Sequence, residues 1–67
     1  MNKYNMRKLT YLVVENHKAY GMEFITDRTS QWTETQYMRH RKGITMELIS
    51  DEETEEKEPV SREVELG

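Results

Sequence analysis

Cysteine is absent from the sequence, which excludes disulfides, thiol nucleophiles and thiolate metal sites. Proline occurs once, at Pro59, and glycine only at Gly21, Gly43 and Gly67, so few positions impose a turn by themselves. No apolar run approaches the roughly 20 residues that span a bilayer. The first residues also lack an apolar segment followed by a small-residue cleavage site, so the expectation is a cytoplasmic protein with no membrane partner. Apolar residues are scarce too, at 34% of 67 residues with one Trp and one Phe. That bounds the chain to one small domain, 1–67, near the lower limit at which a single core suffices, so partner binding or self-association would add needed burial. A deep catalytic cleft is not expected at this size.

The 10 Lys and Arg against 13 Asp and Glu leave a formal charge of −3. A net-basic surface normally supplies non-specific affinity for nucleic acid, so direct nucleic-acid binding is not expected. Asp51, Glu52, Glu53, Glu55, Glu56 and Glu58 crowd one short run relieved only by Lys57, and the remainder is mildly basic. Residues 51–59 therefore read as an acidic, Pro-terminated linker. Its carboxylates lack the enclosure that catalytic pairing requires. His17 and His40 are far apart and lack the companions of a metal site. The sequence presents no catalytic residue, metal site or cofactor site, and the chain is read as a non-enzyme.

Along the chain, residues 1–6 carry no period and are expected to fray. Arg7 to Glu15 alternates Leu9, Tyr11 and Val13 with Thr10, Leu12 and Val14, largely apolar on both sides, as in a strand central to its sheet. Asn16 to Lys18 reads as a turn. Tyr20 to Thr26 is a second strand, whose face of Tyr20, Met22 and Phe24 should pack under a helix. Asp27 and Thr29 are both candidate caps for that helix. After Pro59, Val60, Val64 and Leu66 share one face of a short final strand, 60–66.

Ser30 to Ile49 is where the readings divide. As one helix at about 100° per residue, it gathers Tyr37, Ile44 and Leu48 within roughly 40°, with Met38 and Ile49 just beyond, as a core stripe. Trp32 falls on the opposite side, with Gln36, Arg39, Gly43 and Glu47 near it. Either Trp32 belongs to a loop folded over the core, or it is partly exposed and anchors a partner, as Trp often does at binding hot spots. Gly43 costs a helix roughly 1 kcal/mol relative to Ala. The alternative ends the helix at Lys42 and makes Ile44 to Ser50 a strand, an alternation that fits nearly as well. Arg39, His40, Arg41 and Lys42 form a basic cluster that could contact phosphate or be a solvated surface, with the Arg41 stem near the core stripe.

Gln31 and Trp32, followed after a two-residue gap by Thr35, Gln36 and Tyr37, with Glu63 and Val64 in the last strand, resemble the Dmd antitoxins of T-even-like phages. The resemblance implies two strands, a helix running to about Ile49 and a third strand. The fold class expected from it is α+β, β-β-α-β, a three-stranded antiparallel sheet with one helix packed on one face. The other sheet face, carrying Thr10, Leu12 and Val14 or their alternates, would then be free for a homodimer. The function implied is a phage antitoxin that binds and inhibits a host endoribonuclease toxin of the RnlA and LsoA kind, protecting phage mRNA in the cytoplasm of the infected host. The partner-binding residues would be Gln31, Trp32, Thr35, Gln36 and Arg39. Two other functions stay open: a small phage nucleic-acid-binding regulator, and an acidic nucleic-acid mimic that occupies a basic groove with residues 51–58. The chain departs from the family pattern in its extended N-terminus, the RHRK run, Gly43 and the acidic insertion.

Overall fold

Strand β1 (Arg7–Glu15) follows the two-sided apolar alternation. Strand β2 (Lys18–Thr26) pairs with it antiparallel along its whole length, from Glu15↔Lys18 to Arg7↔Thr26. Only Asn16 and His17 lie between, both with positive φ (54° and 66°). A tight hairpin needs that handedness to match the twist of its strands. These are regions of a computed structural model that describes residues 6–66. Residues 1–5, most of the segment expected to fray, lie outside the described residues. Met6, the last of that segment, is buried, and its carbonyl accepts from the Thr54 N–H at 3.1 Å.

Helix α1 (Ser30–Met38) starts where the polar segment predicts, with Thr29 as the cap: its hydroxyl accepts from the Trp32 N–H at 3.0 Å. A cap of this kind is worth about 1 kcal/mol, a large share for a helix of nine residues. The helix does not continue to Ile49. Gly43 adopts φ +66°, a conformation that costs glycine nothing, and the chain enters strand β3 (Ile44–Glu53). The reason is tertiary. β1 needs partners for its backbone groups on both edges, and β3 supplies the second row, from Glu15↔Ile44 to Arg7↔Glu53. A helix through residue 49 would leave that edge of the central strand open. The register shifts opposite Thr10 and Tyr11, so that Ile49 is the extra residue of a bulge and stands 53% exposed.

Strand β4 (Val60–Val64) pairs antiparallel with the outer edge of β2, from Ile25↔Val60 to Gly21↔Val64. The architecture is thus α+β, with a four-stranded antiparallel sheet in the order β3-β1-β2-β4 and one helix. It has one strand more than expected. Strand β1 is central, and the strands flanking it are β2 and β3 rather than β2 and the last. The acidic segment is also divided: Asp51 to Glu53 complete β3, where Asp51 accepts from Arg7, and only residues 54–59 connect the two outer strands.

The helix packs on the face of Leu9, Tyr11, Val13, Met22 and Phe24, with Tyr20, Tyr37, Ile44 and Met46 around them. Phe24 meets Tyr11 and Tyr37 edge to face, with ring centroids at 5.8 and 5.5 Å, a favoured aromatic geometry. The Tyr11 hydroxyl lies 3.0 Å from the Glu34 carboxylate and 3.2 Å from the Ser30 carbonyl, tying the helix to the central strand. Tyr37 holds the core position assigned to it. Ile44 and Leu48 do share the helix-facing side of the sheet, but from β3, and Leu48 is half exposed. On the opposite face Ile25 is buried at the end where residues 54–59 cross back. There Arg62 binds Glu23 of β2 at 2.7 Å and lies 3.6 Å from Glu56 of the connection. The rest of that face is bare: Val14 and Leu66 are about two-fifths exposed, and Leu66 folds over Gly21.

Candidate functional site

At 100° per residue, Gln31, Thr35, Arg39, Trp32 and Gln36 follow one another around roughly 140° of helix circumference. All five are exposed, whereas Thr33 is buried and Ser30, Glu34 and Tyr37 are partly buried on the opposite arc. The five residues assigned to partner binding therefore form one continuous outward surface, with Arg39 just past the last helical residue. Gly43 and Glu47, placed near Trp32 by a longer helix, are not on this surface; they belong to the loop and to β3.

Trp32 is 42% exposed. Its outer side faces solvent and its inner side walls a shallow groove of about 230 Å³, lined also by Phe24, Ile25, Thr26, Pro59, Val60 and Ser61. The loop reading of this residue fails, because Trp32 sits inside the helix; the partial exposure expected by the other reading is present, and the ring also lies over the sheet margin. The Arg28 guanidinium stacks on the indole at 4.7 Å from its centroid, a contact worth roughly 0.5–1 kcal/mol at an exposed site. It puts a positive charge against one face of the ring. Two threonines bond back to the preceding turn: Thr33 donates to the Thr29 carbonyl and Thr35 to the Gln31 carbonyl, each at 2.9 Å.

Sequence reasoning missed Arg28 and the wall made by Pro59, Val60 and Ser61. Arg28 lies four residues before Trp32, a spacing that signals contact only if both are helical, and Arg28 is outside the helix. The wall lies about 28 residues further along the chain and reaches Trp32 only through the pairing of β4 with β2. In the basic cluster, Arg41 packs its guanidinium 4.2 Å from the centre of the Tyr37 ring and pairs with Glu15 at 3.1 Å, so its stem does lie near the core. His17 and His40 are both exposed. Among the described residues no group of three or more His, Asp or Glu side chains is placed to hold a metal ion, and no helix is long and apolar enough to cross a membrane.

The arrangement is a rigid, half-exposed aromatic ring beside an apolar groove, flanked by amides, a threonine and two guanidiniums. Such a surface can seat an apolar side chain of a partner and orient it with hydrogen bonds. No family model, curated protein or solved structure matches the chain.

Proposed function

We propose that this chain is a non-enzymatic inhibitor that docks its helix surface on another protein. Its target would be a host endoribonuclease toxin of the RnlA and LsoA kind, met in the cytoplasm of a phage-infected bacterium. The observation that carries the reading is the continuous exposed arc of Gln31, Trp32, Thr35, Gln36 and Arg39, with Trp32 held half out of the core by Thr29, Arg28 and the groove. An aromatic anchor beside a groove, ringed by polar groups, is the usual make-up of an interface hot spot. The resemblance to Dmd antitoxins supports the choice of target and rests on this same helix, since the motif from Gln31 to Tyr37 lies within it. Covering the entry to the nuclease's RNA site would be sufficient for inhibition.

The test is a titration of the purified toxin's RNA cleavage with the chain, alongside the dissociation constant of the pair. Trp32→Ala should weaken binding by about 2 kcal/mol or more, roughly 30-fold. Its thermal midpoint should change little, because the ring is outside the buried cluster. Undiminished affinity in this variant, or unfolding as severe as that of a core truncation, would overturn the assignment. The proposal also includes a homodimer through the bare half of the open sheet face, around Val14 and Leu66.

A further inference from the structure

The net charge of −3 conceals a separation that only the fold creates. At one end of the sheet, Glu15 pairs with both Lys18 and Ile44, so the β1–β2 turn and the loop after the helix lie side by side. The Asn16 N–H points to the Gly43 carbonyl at 3.5 Å, and Arg41 of the loop is bound to Glu15 at 3.1 Å and stacked on Tyr37. Tyr37 is fixed in turn by its hydroxyl contact with Tyr20 at 2.8 Å. These contacts bring the turn that carries His17 and Lys18 to the same end of the sheet as the loop that carries Arg39, His40 and Lys42, residues more than twenty positions apart. All five are exposed, and among the described residues Lys18, Arg39 and Lys42 make no ion pair. The carboxylate at this tip, Glu15, is already matched by Arg41. The other acids in this half of the molecule are Glu34, five residues before Arg39 in the helix and bound by the Tyr11 hydroxyl, Glu47, opposite Leu12 on β3, and Glu65, just past the pairing of Val64 with Gly21. The acidic run sits at the far end of the sheet, where Glu53 pairs with Arg7.

We infer that this tip is a binding site for single-stranded nucleic acid, with Lys18, Arg39 and Lys42 on phosphates and the His17 and His40 rings available to stack on bases. An acidic protein surface would also be drawn to the cations. The planar imidazoles and the guanidinium of Arg39 favour nucleic acid, because bases present faces on which such groups stack. The mostly acidic remainder of the surface limits the contact to a few phosphates. With about three phosphates neutralised, the affinity for a single strand should fall with a salt exponent of about −2, roughly 40-fold between about 25 and 150 mM salt. The site shares Arg39 with the docking arc but does not include the Trp32 groove, which lies at the other end of the helix.

The experiment uses the full chain and a fluorescein-labelled 12-nucleotide oligouridine RNA. Anisotropy titrations run across a salt series, and amide chemical shifts map the contact. The expected result is salt-dependent binding with shifts concentrated in residues 16–18 and 39–43. Lys18→Gln with Lys42→Gln should weaken binding about tenfold or more at low salt and flatten the salt slope. Trp32→Ala should leave this binding unchanged, which separates it from toxin docking. The inference is overturned by absence of binding at about 25 mM salt, by shifts that fall on residues 31–36 instead, or by equal displacement with polyglutamate, which would mark an acidic protein as the partner. Both lysines are exposed, and the amide spectrum of the double variant checks that the fold is kept.

Discussion

Gly21→Ala is the sharpest test of how β4 is held, and with it the wall of the groove beside Trp32. A Cβ built on Gly21 would lie 2.5 Å from the Leu66 Cγ and 2.7 Å from the Val64 carbonyl oxygen. The leucine tip can swing away at little cost, but the carbonyl belongs to the last residue of β4 and sits opposite Gly21 in the ladder. Relief therefore requires the end of β4 to move. Overpacking of this kind costs roughly 1–3 kcal/mol. The loss of glycine's freedom in the unfolded chain returns about 0.5–1 kcal/mol, leaving a net destabilisation of about 1–2 kcal/mol. A domain of this size loses roughly 4–8 °C per kcal/mol, so the midpoint should fall by roughly 5–15 °C. Urea unfolding gives the free energy, and amide exchange of residues 60–64 should accelerate more than that of β1. Pairing the change with Leu66→Ala sorts the two contacts, since removing the leucine tip cannot relieve the carbonyl. If Gly21→Ala is as stable as the parent, or if Leu66→Ala fully rescues it, the close approach of β4 to Gly21 is not what holds that strand.

Two further outcomes follow from the same structure. Burial, together with donation to the Glu34 carboxylate, raises the Tyr11 hydroxyl above its usual value near 10, and burial with the Tyr37 and Glu15 contacts raises Tyr20 likewise. A raised folded value means that the native state keeps a proton the unfolded chain releases. Stability should thus be flat below about pH 9 and fall as pH rises through 10, by about 1.4 kcal/mol per pH unit for the fully buried Tyr11. Urea midpoints between pH 8 and 11 measure this, and Tyr11→Phe should flatten the decline. For self-association, sedimentation should show a concentration-dependent dimer that Val14→Lys abolishes without loss of secondary structure. A monomer at all concentrations would leave the bare sheet face without that role.

How much was legible in the sequence follows from where the determining forces lie. The alternation of Leu9, Tyr11 and Val13 with Leu12 and Val14 determined a central strand with matching bounds. The polar Asp27 to Ser30 segment determined the helix start, because a cap is a contact between neighbours in sequence. The outward placement of Trp32, Gln36 and Arg39 was equally local, since those positions precede the point where helix and strand compete, whereas Gln31 and Thr35 entered through the resemblance. Gly43 and Glu47, placed beside Trp32 by the same periodicity, lie beyond that point and left the surface. Beyond Gly43 the local signal was balanced: Ile44, Met46 and Leu48 fit a helix stripe and a strand face almost equally, and the helix was chosen on resemblance. What decided against it was the open edge of β1, a demand made by a strand some thirty residues earlier. Tertiary structure also drew Asp51 to Glu53 into that strand, built the groove wall from Pro59 to Ser61 against Trp32, and sorted a net charge of −3 into a basic and an acidic end. Each of these depends on which strands pair. Pairing is a contest among distant segments for the same backbone hydrogen bonds, which composition and periodicity do not record.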